Sequence, residues 1–174
     1  MTHAGLIGAV QVMRPGMLDT ARGLPAGVDA QFALLFNVFD EAASPYLADS
    51  IALQAAARGV TPVAVTSPDD FAESNLMHSI NGYVFCGGPP PAVERGARVR
   101  LLLLAAGSEE GMHGPVLDGV PLTAAGRPVG VPGLMPFTAR IVEFRAESTG
   151  AWPLYCAVTD HIAAGMRSRI IVGA

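Results

Sequence analysis

Lysine is missing from the 174 residues, and all eleven basic side chains are arginines set singly along the chain. Without a basic run, and with a formal charge of -4 and a pI near 5.5, the chain offers no phosphate-binding stripe and no surface suited to an anionic membrane. No nucleic-acid partner is therefore expected. Long hydrophobic runs are missing as well: Leu101 to Ala106 falls far short of the ~20 residues a membrane helix needs, so no membrane insertion is expected. The opening Met1-Thr-His-Ala-Gly-Leu-Ile-Gly8 lacks a charged segment followed by a long apolar core and a cleavage site, so it does not read as a secretory signal. Neither an internal repeat nor a second domain is visible. Charge itself is sparse, at 15% of residues.

Apolar residues are plentiful, at 51%, which is enough for one packed core in a chain of this length. They come as many short runs separated by Gly, Pro and Asp, a pattern that fits an all-β fold, a Greek-key β-sandwich or barrel. Residues 1–29 read as an N-terminal strand, Gly5 to Met13, followed by a Gly/Pro/Ala-rich linker; residues 30–174 read as the main body. Gln31 to Phe39 mixes alternation with a continuous apolar stretch, as a buried sandwich strand does. Ala48 to Arg58 predicts a short helix or an irregular excursion ended by Gly59. Asn81-Gly82 marks a tight turn into a strand. Cys86-Gly-Gly-Pro-Pro-Pro-Ala is a loop, and Ala97 to Ala106 a strand running into a polar turn. Val116 to Leu122, Arg127 to Val131 and Thr138 to Ala146 predict further strands, and Arg167 to Val172 a terminal one.

Chemistry concentrates in Trp152-Pro-Leu-Tyr-Cys156-Ala-Val-Thr-Asp-His161-Ile-Ala-Ala-Gly-Met166. A soft thiolate, an imidazole and a thioether follow one another at short intervals between two strand-like segments. Blue-copper centres use one Cys and two His in a plane with a weak axial Met. One His is then missing, and His113, at the end of the apolar run that begins at Arg98, is the candidate. Singly, Cys156 reads as a buried thiol, Met166 as a core filler and the two histidines as surface polar groups; the ordered series points to metal. With Cys156 used as a ligand, Cys86 has no partner, and no intrachain disulfide is expected.

These residues resemble the copper-binding cupredoxin domain of multicopper oxidases, those of ceruloplasmin-like ferroxidases most of all. In that family the segment carries a Trp, a His-Cys-His triplet, Val-Thr-Asp-His-Ile-His and Ala-Gly-Met. This chain keeps Trp152, Cys156, Val158-Thr-Asp-His161-Ile and Ala164-Gly-Met166, but has Tyr155, Ala157 and Ala163 where the family has histidines. Upstream, the family's His-x-x-His-x-His reads His113-Gly-Pro-Val116-Leu-Asp118, so only the first His remains. Asp40-Glu-Ala-Ala-Ser-Pro-Tyr46-Leu and Glu73-Ser-Asn-Leu-Met-His78-Ser-Ile-Asn-Gly82-Tyr match two further family segments. The resemblance implies a mononuclear type 1 copper, one per chain, on His113, Cys156, His161 and Met166. It also implies the loss of the three-copper cluster that reduces dioxygen.

The resemblance further implies a second divalent-metal site on Glu73, His78 and Asp160, a hard donor set suited to Fe(II), Mn(II) or Zn(II); the alternative is two turn-forming carboxylates and a structural histidine. Three functions stay open. The chain is a single-electron carrier serving a redox partner protein or small reductant, an Fe(II)- or small-reductant-oxidising subunit without its own oxygen-reducing centre, or a copper-binding structural module. A homo-oligomer, most simply a trimer built through Gly5 to Met13 and the region of His78, is expected from the family's packing, and the resemblance favours an extracytoplasmic location.

Overall fold

The computed structural model describes residues 2–62, 68–106 and 111–174; the polar turn expected after Ala106 lies outside the described residues. Two sheets face one another, as the alternating apolar runs predict. The larger has six strands in the order β4-β3-β6-β10-β8-β9. These are β3 (Ala30–Asp40), β4 (Leu76–Ile80), β6 (Arg98–Ala105), β8 (Leu122–Ala124), β9 (Arg127–Val129) and β10 (Ala139–Arg145). The smaller has the order β5-β12-β11-β7, from β5 (Ala92–Glu94), β7 (Pro115–Leu117), β11 (Gly150–Cys156) and β12 (Arg167–Gly173). A two-residue hairpin, β1 (Leu18–Asp19) with β2 (Leu24–Pro25), interrupts the linker.

Period-two alternation decides which side chains meet between the sheets. In β6, Val99, Leu101, Leu103 and Ala105 are buried while Arg100, Leu102 and Leu104 are only partly so. Leu34, Phe36 and Val38 of β3 and Val142 and Phe144 of β10 join them, and Leu154, Cys156, Ile170 and Val172 close the core from the smaller sheet. Truncating a fully buried Phe36 to Ala would cost about 3–5 kcal/mol. Two pairings are parallel, β3 with β6 and β5 with β12; the rest are antiparallel.

Helix α1 (Leu47–Arg58) forms where the Ala/Leu/Gln-rich run predicts it, and Gly59 ends it in the left-handed region with φ of 63°. The β4 strand was not read from sequence. It pairs with β3 before the Asn81-Gly82 turn, and the expected strand after that turn reduces to one bridge between Ile80 and Tyr83.

Gly5 to Met13 is corrected: it belongs to no strand. A strand needs a partner edge, and this segment instead lies across β3 through side chains. The Asp40 amide donates to His3 Nδ1, and Gln31 Nε2 donates to Gln11 Oε1. Its apolar residues Leu6, Val10 and Val12 point outward at 74%, 92% and 90% exposure, so its β propensity is not matched by burial. No described helix is long and apolar enough to cross a membrane.

Candidate metal centre

Three elements deliver the ligands. Cys156 ends β11, whose register places it opposite Pro115, so the His113–Gly114 pair just before β7 lies beside it. His113 is fixed by reciprocal backbone hydrogen bonds with Leu134, both 2.9 Å. After Cys156 the chain makes one short helix, α3 (Thr159–Ala163), which carries His161 inward, and returns at Met166. The loop is closed by backbone bonds: the Cys156 amide donates to the Met166 carbonyl at 3.1 Å, and the Met166 amide donates to the His161 carbonyl at 2.9 Å.

The donor atoms converge. His113 Nδ1 lies 3.2 Å from His161 Nδ1, and Cys156 Sγ lies 3.6 Å from His161 Nδ1 and 3.9 Å from His113 Nδ1. A point equidistant from three atoms so spaced is about 2.1 Å from each, within the ~2.0–2.3 Å reach of first-row metal bonds to imidazole nitrogen and thiolate sulfur. Cys156 is fully buried, and His113 and His161 are 1% and 6% exposed. Among the described residues this is the one group of three or more His, Cys, Asp or Glu ligand atoms lying within 4.8 Å of one another. Lone pairs aimed at one buried point repel unless a proton or a cation sits between them, so the donor chemistry fits a soft-to-borderline metal such as copper.

Electrostatics keep His113 ready to coordinate. Its pKa is lowered from 6.5 to about 4, first by burial and then by the neighbouring His161 and His78. The ring is therefore neutral at pH 7, the state a ligand requires. Its Nε2 is buried with no hydrogen-bond partner among the described residues, and Phe36 packs nearby, 6.3 Å away between ring centroids. The Gly114 amide donates to Cys156 Sγ at 3.4 Å, and the Ala157 amide to the Gly114 carbonyl at 2.7 Å. A Cβ at Gly114 would lie 2.9 Å from Val131 Cγ1 and 3.2 Å from Ala157 Cβ, so a larger residue there would have to push these neighbours aside.

Met166 is fully buried beside this group. Glu73, His78 and Asp160 are not brought together. Glu73 is exposed near the end of α2 (Pro68–Ser74), Asp160 is exposed on the first turn of α3, and the three form no ligand cluster among the described residues. Only His78 approaches the centre, its ring 5.1 Å from that of His161 and its Nδ1 3.2 Å from the Leu76 carbonyl. The resemblance alone points to a second metal on these three. Both cysteines are free.

No family model matches the chain. Whole-sequence comparison is decisive: it is 36% identical to hephaestin of Homo sapiens over 167 residues, covering 96% of this chain and 14% of that protein. Ferroxidase HEPHL1 of Mus musculus shares 33% over 171 residues and ceruloplasmin of Homo sapiens 33% over 169, covering 98% and 97% of this chain. The chain belongs to the multicopper oxidase family. It spans about one seventh of the length of these relatives. Among solved structures, a laccase from Pediococcus acidilactici superposes on 87% of the chain and 28% of its own, with a TM-score of 0.58 at 10% identity. A Cu-containing nitrite reductase from Thermus scotoductus superposes on 84% of the chain and 31% of its own, with a TM-score of 0.56 at 15% identity. These likenesses establish the cupredoxin fold. Within this multicopper oxidase domain, the family implies copper, and His113, Cys156 and His161 form a group able to bind one ion.

Proposed function

We propose that this domain is a mononuclear type 1 copper protein that passes single electrons. The convergence of His113 Nδ1, His161 Nδ1 and Cys156 Sγ in a buried pocket carries the reading. His113, Cys156 and His161, together with the buried thioether of Met166, would hold the copper. Copper supplies a one-electron couple between its two oxidation states.

The protein's own contribution is to fix the donors and exclude water. Burial and backbone closure of the 156–166 loop hold the ligands with little freedom to rearrange. The Gly114 amide withdraws electron density from the Cys156 sulfur, which favours the reduced state and raises the potential. His78, whose ring lies 5.1 Å from that of His161, is half-buried.

A relative named a ferroxidase makes metal-ion oxidation the competing reading. Electron carriage is favoured because His113, Cys156 and His161 form a ligand-atom cluster, whereas Glu73, His78 and Asp160 form none among the described residues. Where the family's cluster histidines fall, this chain carries Tyr155, Ala157, Ala163, Val116 and Asp118, none of them an imidazole, so dioxygen reduction is not assigned to it.

Metal analysis with visible spectroscopy tests the proposal. One copper per chain and an intense thiolate-to-copper band, bleached by reductant without enzymatic oxygen uptake, is expected. A colourless protein after copper loading overturns it.

A further inference from the structure

The ligand loop is gripped from outside by a turn the electron-transfer reading does not use. Val84 to Gly87 form a tight turn, closed by the Gly87 amide donating to the Val84 carbonyl at 2.9 Å. Its two central residues, Phe85 and Cys86, have φ of 51° and 59°. Two positive φ values in succession are the pattern of a type I′ turn, whose central positions normally take Asn and Gly because a Cβ is disfavoured there. A Phe-Cys pair in this place is a strained choice. Strain of this kind persists only where surrounding contacts over-determine it.

Those contacts all go to the ligand loop and the strand that follows it. The Phe85 amide donates to the Gly165 carbonyl at 2.8 Å, and the Cys86 amide to the Arg167 carbonyl at 3.0 Å. The Phe85 ring presses on Gly165 itself: a Cβ there would lie 2.9 Å from ring carbons Cδ2 and Cε2. Gly165 has φ of 111°, a backbone that L side chains rarely adopt, and it directly precedes Met166. The Arg167 guanidinium sits 5.0 Å from the Phe85 ring centroid, in cation–π range. Phe85 is nonetheless 53% exposed, so burial of apolar area does not explain its place.

We propose that Phe85 is a positioning residue for the copper centre. Its ring and amide clamp Gly165 and thereby fix the His161-to-Met166 arc that presents the axial thioether. This rests on the type 1 reading for its copper readouts, but the clamp itself exists in the copper-free chain.

The test uses the full chain in both states. Phe85→Asn removes the ring while supplying a residue the turn prefers, so folding is not the casualty; Phe85→Tyr keeps the ring. In copper-free protein, amide hydrogen exchange at Met166 and Arg167 should accelerate on the order of tenfold or more in Phe85→Asn, while global unfolding is unchanged or improved. In copper-loaded protein, the reduction potential and the relative intensity of the visible bands should move in Phe85→Asn and return to wild-type values in Phe85→Tyr. A Phe85→Asn protein with wild-type exchange, potential and spectrum overturns the proposal. If wild-type protein never turns blue, the type 1 reading fails, and the exchange measurement alone then decides for or against the clamp.

Discussion

Two sets of metal-type side chains stand side by side in this molecule, and they differ in how the chain delivers them. His113, Cys156 and His161 hang from neighbouring strand ends and a five-residue helix, all tied by backbone hydrogen bonds of 2.7 to 3.1 Å. Glu73, His78 and Asp160 sit on α2, β4 and α3, form no ligand-atom cluster among the described residues, and two of them face solvent. Ligand chemistry alone does not make a site; a shared register does. Burial sharpens the contrast, since the first set pays for its desolvation only when an ion is present, whereas exposed carboxylates cost nothing when empty.

The largest effect should come from breaking the converged set. Cys156→Ser removes the thiolate, and we expect complete loss of the visible band and a fall of several orders of magnitude in copper affinity, read by chelator competition. His113→Ala should open one in-plane position that added imidazole refills, with recovery of colour; an unaltered spectrum would remove His113 from the centre.

Next in size is a pH effect confined to the buried set. Native His113 stays neutral down to about pH 4, whereas the unfolded imidazole takes up its proton near 6.5. The unfolded chain then binds more protons between these values, so the contribution of His113 to copper-free stability should fall as pH drops from about 6.5 to about 4 and then stay constant. Urea midpoints across this window check the slope, and His113→Gln should flatten it.

A third substitution tests whether burial without convergence is merely a cost. Asn37 is 1% exposed, and among the described residues neither its Nδ2 nor its Oδ1 has a hydrogen-bond partner. Asn37→Leu should raise stability by about 1–3 kcal/mol, seen as a higher thermal midpoint, and leave the copper spectrum alone. The smallest effect is expected at the dispersed set. Glu73→Gln combined with Asp160→Asn should change neither copper content nor the visible band, and stability only within about 0.5 kcal/mol. A double variant that loses the band would join the two regions into one site.

Much of this was legible in the residues. Cys156, His161 and Met166 lie within eleven positions of one another between two strand-like segments, so local spacing alone brings them close. His113 was reachable because it follows a strand whose alternation is plain. What failed did so for tertiary reasons. Gly5 to Met13 has β propensity but pairs with no strand, its apolar side chains left exposed, and Leu76–Ile80 has no period-two burial and carries His78 and Ser79 at its centre. The Phe85–Cys86 turn was invisible, because its left-handed backbone contradicts local preference and is imposed by the loop it touches.

The placement of β12 has a consequence for how the protein is made. This strand lies inside the smaller sheet, between β5 and β11, and pairs in parallel with β5, some eighty residues upstream. As the polypeptide emerges from the ribosome, Cys156, His161 and Met166 therefore appear before the strand that clasps their loop, and the sheet that supports them cannot close until residue 173 has been added. Until then the side chains of His113, Cys156 and His161 have no fixed geometry with which to discriminate among metals. Selectivity arrives with β12, so metal insertion belongs after this strand has joined the smaller sheet rather than before.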